Sequence, residues 1–225
     1  MHPFYQPKNS TKNMKVKARD YSRTEEFWNV LTHGLGLILS IPALVLLIVF
    51  ASLNETVWHI VSYSIYGSTL VMLYLASTLF HASRKKEIRL RLNVFDHVSI
   101  FFLIAGTYTP FVLVTLRGPW GWSIFGVIWG LAIAGAILKL FFTGRYNKIS
   151  TLIYVLMGWL IVIAVKPLIQ NLSADGLFWL TLGGISYSIG AVFYLLNRLP
   201  YNHAIFHVFV LLGSIAHFIS VFFYI

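Results

Sequence analysis

The chain contains no cysteine, which excludes a disulfide framework, a thiolate nucleophile and thiolate ligation of a metal. Charge is scarce as well. Only 11% of its 225 residues are charged, and only seven are acidic. Proline is limited to seven residues, and neither an internal repeat nor a low-complexity tract is evident. Apolar residues take up the space, at 58% of the chain with a mean hydropathy of +0.76. That composition excludes an ordinary soluble domain and predicts an all-α integral membrane protein. The net charge of +10 would suggest nucleic acid in a soluble protein. Here the collection of Lys and Arg in cytoplasmic loops explains it, and no nucleic-acid partner is expected.

Residues 1–26 read as a basic arm carrying Lys8, Lys12, Lys15, Lys17, Arg19 and Arg23. Pro3 and Pro7 oppose an early helix, so the arm is expected to be mostly disordered and to serve as a topology signal. It is not a cleaved signal peptide, because no short apolar core with a small-residue cleavage site follows promptly. Residues 27–225 then form a membrane domain. Seven transmembrane helices are expected at about Phe27–Leu53, Val57–His81, Val94–Leu116, Trp120–Phe142, Ile149–Lys166, Leu177–Leu196 and His203–Ile225, each near the length needed to span hydrocarbon. Fifteen of the seventeen Lys and Arg fall on one side and only Arg117 and Lys166 on the other. The bias places the N-terminus in the cytoplasm and the C-terminus outside. Trp58, Trp120, Trp122, Trp179 and Tyr224 then form an outer aromatic belt. Pro42 and Pro110 are expected to kink their spans. Gly126 with Gly130, and Gly183, Gly184 and Gly190, are expected to permit close helix contact.

This topology brings the polar residues to one depth. Span two ends at Ser77 and His81, span three starts with Asp96 and His97, and span seven starts with His203 and His207. Glu26, Asn29 and His33 sit at the same end of span one. His203 and His207 are four residues apart and so share a helix face, as do Ser77 and His81. Imidazoles at the edge of hydrocarbon are costly unless paired, wet or metal-bound. His81, His203 and His207 make a three-histidine set, the pattern of a catalytic zinc site with an open fourth position. Asp96 is the candidate base and Ser77 a candidate to orient water or donate to an oxyanion. Each has a plainer alternative: Ser77 bonded to its own helix backbone, Asp96 acting as a helix cap. His97 and His33 are placed beside the ligands rather than among them. His217, about 21 Å along the axis from His203, is too far to join the site. His59 and His2 are given no role.

Together these residues resemble a known pattern. Glu26, Asn29 and His33-Gly34, then the run from Leu73 to Ser77 and His81, then Phe95-Asp96-His97, Tyr108-Thr109-Pro110 and His203-Ala204-Ile205-Phe206-His207 are similar to the hemolysin III family. That bacterial branch is related to the progestin and adipoQ receptors, which include the adiponectin receptors. The resemblance implies seven helices, a zinc ion near the cytoplasmic face held by His81, His203 and His207, and roles for Asp96 and Ser77. The wider superfamily includes alkaline ceramidases. The expectation is a multi-pass protein of the bacterial plasma membrane that hydrolyses a lipid amide or ester with zinc, with membrane lipid as substrate or ligand. The alternatives are a cytolysin, or a lipid-sensing receptor with structural zinc. The seven spans offer no secretable form or amphipathic pore-lining pattern, which weighs against the cytolysin.

Overall fold

The structure is a computed structural model and describes residues 19–225. Of the disordered arm expected over residues 1–26, residues 1–18 lie outside the described residues, and Arg23 to Glu26 correct the expectation by forming the first turn of a helix. Seven helices of 22 to 32 residues are long and apolar enough to cross a membrane, as hydropathy predicts. They are α1 (Arg23–Asn54), α2 (Val57–Ala82), α3 (Lys86–Thr115), α4 (Pro119–Phe142), α5 (Asn147–Asn171), α6 (Ala174–Leu195) and α7 (Asn202–Tyr224).

Several ends differ from the expected ones for local reasons. The first helix begins at Arg23, four residues early. The Ser22 side chain accepts from the Glu25 backbone N–H at 3.1 Å, and Glu25 and Glu26 occupy the first turn, where carboxylates favour a helix N-terminus. α3 begins at Lys86 instead of Val94, because neither proline nor glycine interrupts the chain before Gly106. Asp96 is therefore almost three turns inside the helix and caps nothing. Past Pro110 the helix widens into a π-turn over Phe111–Thr115, a usual answer to the lost backbone donor and the ring's bulk.

α5 is broken. Its first segment, Asn147–Gly158, passes into a 3₁₀ turn at Leu160–Ala164 before resuming at Val165. Such a break in hydrocarbon leaves backbone groups that another helix must satisfy. Tyr108 of α3 does this. Its hydroxyl accepts from the Ile161 backbone N–H at 2.8 Å and faces the carbonyls of Met157 and Gly158, each at 2.8 Å, as a donor.

Packing follows chain order and then closes. α1 lies on α2, α2 on α3, α3 on α4, α6 on α7, and α7 returns to α1, while α5 touches α3 and α6. α2 and α3 are the inner helices. α1, α5 and α6 turn long apolar side chains outward, such as Ile38, Leu53, Ile163 and Phe178. This is the arrangement lipid demands, with tyrosines such as Tyr63, Tyr66 and Tyr74 fully buried inside. Close approach depends on glycine where rings intrude: a Cβ on Gly36 would sit 2.3 Å from the Tyr74 ring. Gly183 and Gly190 likewise admit side chains of α7, and Gly184 faces Trp159. Gly126 and Gly130 correct the expectation, since among the described residues nothing lies within 4 Å of a Cβ at either; this stretch of α4 faces outward.

The end of the bundle opposite the clustered Lys and Arg is tied by His59. Its Nδ1 meets Thr56 Oγ1 at 2.9 Å and its Nε2 is 3.1 Å from the Ile225 backbone oxygen. Trp58 packs edge-on to Trp122 there, and Arg117 lies over the Trp58 ring.

Candidate metal centre

Three helices supply the three imidazoles and their supports. His81 comes from the last turn of α2, and His203 and His207 from the first two turns of α7. All three are buried, and one ring nitrogen from each lies within 4.8 Å of the others. His81 Nε2 and His203 Nε2 are 3.2 Å apart. Two nitrogens each about 2.0–2.1 Å from one tetrahedral ion would stand ~3.3 Å apart, so this pair fits a shared ion.

The far nitrogens show how two of the rings are aimed. His81 Nδ1 is 2.6 Å from Glu26 Oε2, while the other oxygen of Glu26 is paired with Arg89. A carboxylate can only accept, so the His81 proton is on Nδ1 and the Nε2 lone pair faces the cluster. His207 Nδ1 is 3.3 Å from the Asn29 carbonyl and 3.2 Å from Thr32 Oγ1. The carbonyl again fixes the proton on Nδ1. This is the carboxylate-or-carbonyl, histidine, metal relay that orients ligands and raises their basicity. The donor set fits a borderline ion such as zinc.

Other polar atoms nearby lack protein partners. Ser77 Oγ, both ring nitrogens of His33, the Asn29 side-chain amide and His203 Nδ1 are buried with no hydrogen bond among the described residues. Ser77 is therefore not bonded to its own helix, the plainer of its two readings. His33 stacks on His207 with ring centroids 3.4 Å apart. His97 gives Nδ1 to the Asn93 carbonyl at 2.8 Å and lies beside Asp96. Asp96 forms no ion pair among the described residues.

Most of these groups open onto a cavity of about 150 Å³, and Asp96, His97 and His203 also line a second cavity of about 90 Å³ at the basic end. The wall of the larger one carries Ser77, Asp96, His33, His203 and His207 at one end, then apolar side chains of α3, α5, α6 and α7. Gly158 and Trp159 of α5 belong both to this wall and to the exposed outer surface. Trp159 Nε1 donates across to Ser188 Oγ of α6 at 2.9 Å, so the cavity meets the outer surface between α5 and α6.

Sequence reasoning missed the side chains gathered at the basic end, where Arg19 and Tyr21 line the second cavity. Arg19 donates to Asn197 Oδ1 and Asn202 Oδ1, each at 3.1 Å. The Tyr21 ring lies 4.9 Å from that of His203 and 5.6 Å from that of His81. Burial pushes the Tyr21 phenol well above its usual range, with Tyr194 adding to the effect. Arg19 and Tyr21 fall in the arm expected to be disordered, and the one sequence signal against that is an aromatic two residues before the helix start. Arg89 and Thr32 also lay outside the expected site.

A family model described as haemolysin-III related matches residues 21–218. The chain belongs to the haemolysin-III-related family. Within it, the chain is 51% identical to hemolysin-3 of Bacillus cereus over 201 residues, covering 89% of this chain and 92% of that protein. It is 49% identical to the hemolysin-3 homolog of Bacillus subtilis (strain 168) over 200 residues, 89% and 94% of the two chains. The monocyte to macrophage differentiation factor of Homo sapiens is 29% identical over 203 residues, 88% and 83%. No solved structure matches. Membership of the haemolysin-III family and the seven apolar helices make this a multi-pass membrane protein.

Proposed function

We propose that the chain is a zinc-dependent hydrolase of a lipid amide or ester, set in the bacterial plasma membrane with its histidines near the cytoplasmic face. The observation that carries this reading is a shared wall. Buried imidazoles, an unpaired carboxylate and an unpartnered hydroxyl line the same apolar cavity. A structural metal needs neither the carboxylate nor the cavity.

His81, His203 and His207 would hold the ion. Bound there, zinc would polarise a carbonyl and lower the pKa of its water to about 7. The apolar wall holds an acyl chain and excludes bulk water from the reacting carbonyl. Asp96 takes the proton from the attacking water and returns it to the leaving nitrogen or oxygen. The Ser77 hydroxyl donates to the oxygen on which charge develops. A lipid chain would reach the cavity from the bilayer between α5 and α6.

Metal content by mass spectrometry of detergent-purified protein tests the first half. About one zinc per chain in wild type and none in His207→Ala is expected. A folded wild type without metal would end the proposal. Imidazole sites also accept other first-row ions, so the same measurement reads the identity of the metal. Hydrolysis of long-chain amides and esters tests the second half. A chain that binds and never turns over would favour the receptor reading.

A further inference from the structure

The cavity does not end in hydrocarbon. Its far end reaches His217 and Tyr187, with Thr107 and Tyr108 also on the wall. His217 is 5% exposed and forms no ion pair among the described residues. Its Nδ1 is 2.7 Å from the Gly213 carbonyl, so the proton is on Nδ1 and Nε2 carries a lone pair. Nε2 has no protein partner among the described residues.

This end is built by reciprocal fit between α6 and α7. A Cβ on Gly183 would lie 2.4 Å from the His217 ring, and a Cβ on Gly213 would lie 2.4 Å from the Tyr187 ring. Each helix therefore gives up a side chain to seat the other's ring. The two rings stack at 5.1 Å with an interplanar angle of 20°. Tyr187 is fixed further by its hydroxyl, 2.9 Å from Ser214 Oγ, which also accepts from Tyr74 at 2.8 Å. The imidazole is thus held rigidly, with one hydrogen-bonding atom left over in an apolar cavity.

We propose that His217 is a second recognition point, accepting a hydrogen bond from a hydroxyl carried by an aliphatic chain whose head lies at the three-histidine cluster. His217 is ten residues beyond His207 on α7, which is about 15 Å along the axis. An extended chain with bonds of about 1.5 Å advances roughly 1.25 Å per carbon, so the hydroxyl belongs near the twelfth carbon. An acceptor on this apolar wall selects for a donor and against a chain that brings the donor to the wrong depth, where its desolvation goes uncompensated. The inference rests on the proposed function only in that the cavity takes a chain, and its test reads binding without turnover.

The test uses the full chain in nanodiscs, with dodecanoic, 6-hydroxydodecanoic and 12-hydroxydodecanoic acids as probes. The 12-hydroxy acid is expected to bind at least tenfold more tightly than the 6-hydroxy acid. In His217→Phe that difference should collapse to within about twofold while dodecanoic acid still binds. Equal affinity for the two hydroxy acids in wild type, an undiminished preference in His217→Phe, or no binding of any probe would overturn the proposal. The wild-type comparison needs no variant, and His217→Asn, which keeps an acceptor, should retain part of the preference. Metal-depleted protein separates the two readings. Losing the ion should weaken all three acids together and leave the ratio between the hydroxy acids in place.

Discussion

Replacing Glu26 with Gln should weaken metal binding by ten- to a hundredfold without removing any ligand. Glu26 touches only the far side of His81, with one oxygen 2.6 Å from Nδ1 and the other on Arg89. The amide can still accept from Nδ1–H, so the ring stays aimed. What it loses is the negative charge that raises the basicity of His81 and neutralises Arg89. A hydrogen bond to a charged group is worth about 1.5–3 kcal/mol, and outer partners of metal-bound histidines typically govern affinity by ten- to a hundredfold. At 1.4 kcal/mol per factor of ten the two figures agree. The side chains of Glu26 and Arg89 are 18% and 13% exposed, so solvent screens the pair only in part. Competition with a chelator of known affinity reads the change. Arg89→Met should weaken the metal less than Glu26→Gln, because it leaves the carboxylate on His81. Unchanged affinity in Glu26→Gln, or a larger loss in Arg89→Met, would refute the relay.

Other substitutions test separate links. Asp96→Ala should keep the metal and lose turnover of a lipid amide; retained turnover would remove Asp96 from the chemistry. Ser77→Ala should leave metal content unchanged and lower the rate by about 10²-fold or more if the hydroxyl stabilises the oxyanion, as steady-state kinetics would show. Gly36→Ala drives a methyl into Tyr74 and should cost about 1–3 kcal/mol, read as a lowered thermal midpoint in detergent. Gly126→Ala has open space and should be neutral or slightly favourable by the same measurement.

The fold was legible because hydrocarbon imposes a simple demand on sequence. A run of about 20 apolar residues spans the bilayer, and short connections between such runs leave few topologies. The helix ends were less legible. Lys86 to Asn93 looks like a basic loop by hydropathy, yet no helix breaker occurs before Gly106, so α3 continues past the apolar stretch. The break in α5 was invisible, since Gly158 alone does not predict a 3₁₀ turn and the hydroxyl that stabilises it comes from Tyr108, about 50 residues earlier. The three histidines were readable because helical spacing and shared depth are both one-dimensional properties. Glu26 to Arg89 was not, since pairing across α1 and α3 depends on how two helices rotate. Nor was Tyr21, whose ring meets His203 at the other end of the chain.

One comparison within the chain gives the metal assignment its physical weight. His59 is also buried in the bundle, and it uses both ring nitrogens on protein partners, Nδ1 on Thr56 and Nε2 on the Ile225 backbone oxygen. A histidine that merely packs in a membrane protein takes such a bond, because a lone polar atom in hydrocarbon costs several kcal/mol. The cluster behaves differently. His81 and His207 turn their Nδ1 atoms outward to Glu26 and Asn29, which brings the lone pairs of Nε2 toward a third imidazole. Two bare lone pairs would repel, so His81 and His203 facing each other at 3.2 Å have a cation or a proton between them. A shared cation satisfies both rings. A proton does so as well, with neutral His203 in its Nε2–H tautomer donating to His81 Nε2, and the two cases separate cleanly. A shared proton would leave the purified protein free of metal and make the environment of the cluster depend on pH in proton NMR. A shared ion would give about one metal per chain and hold the imidazole signals fixed until acid displaces it.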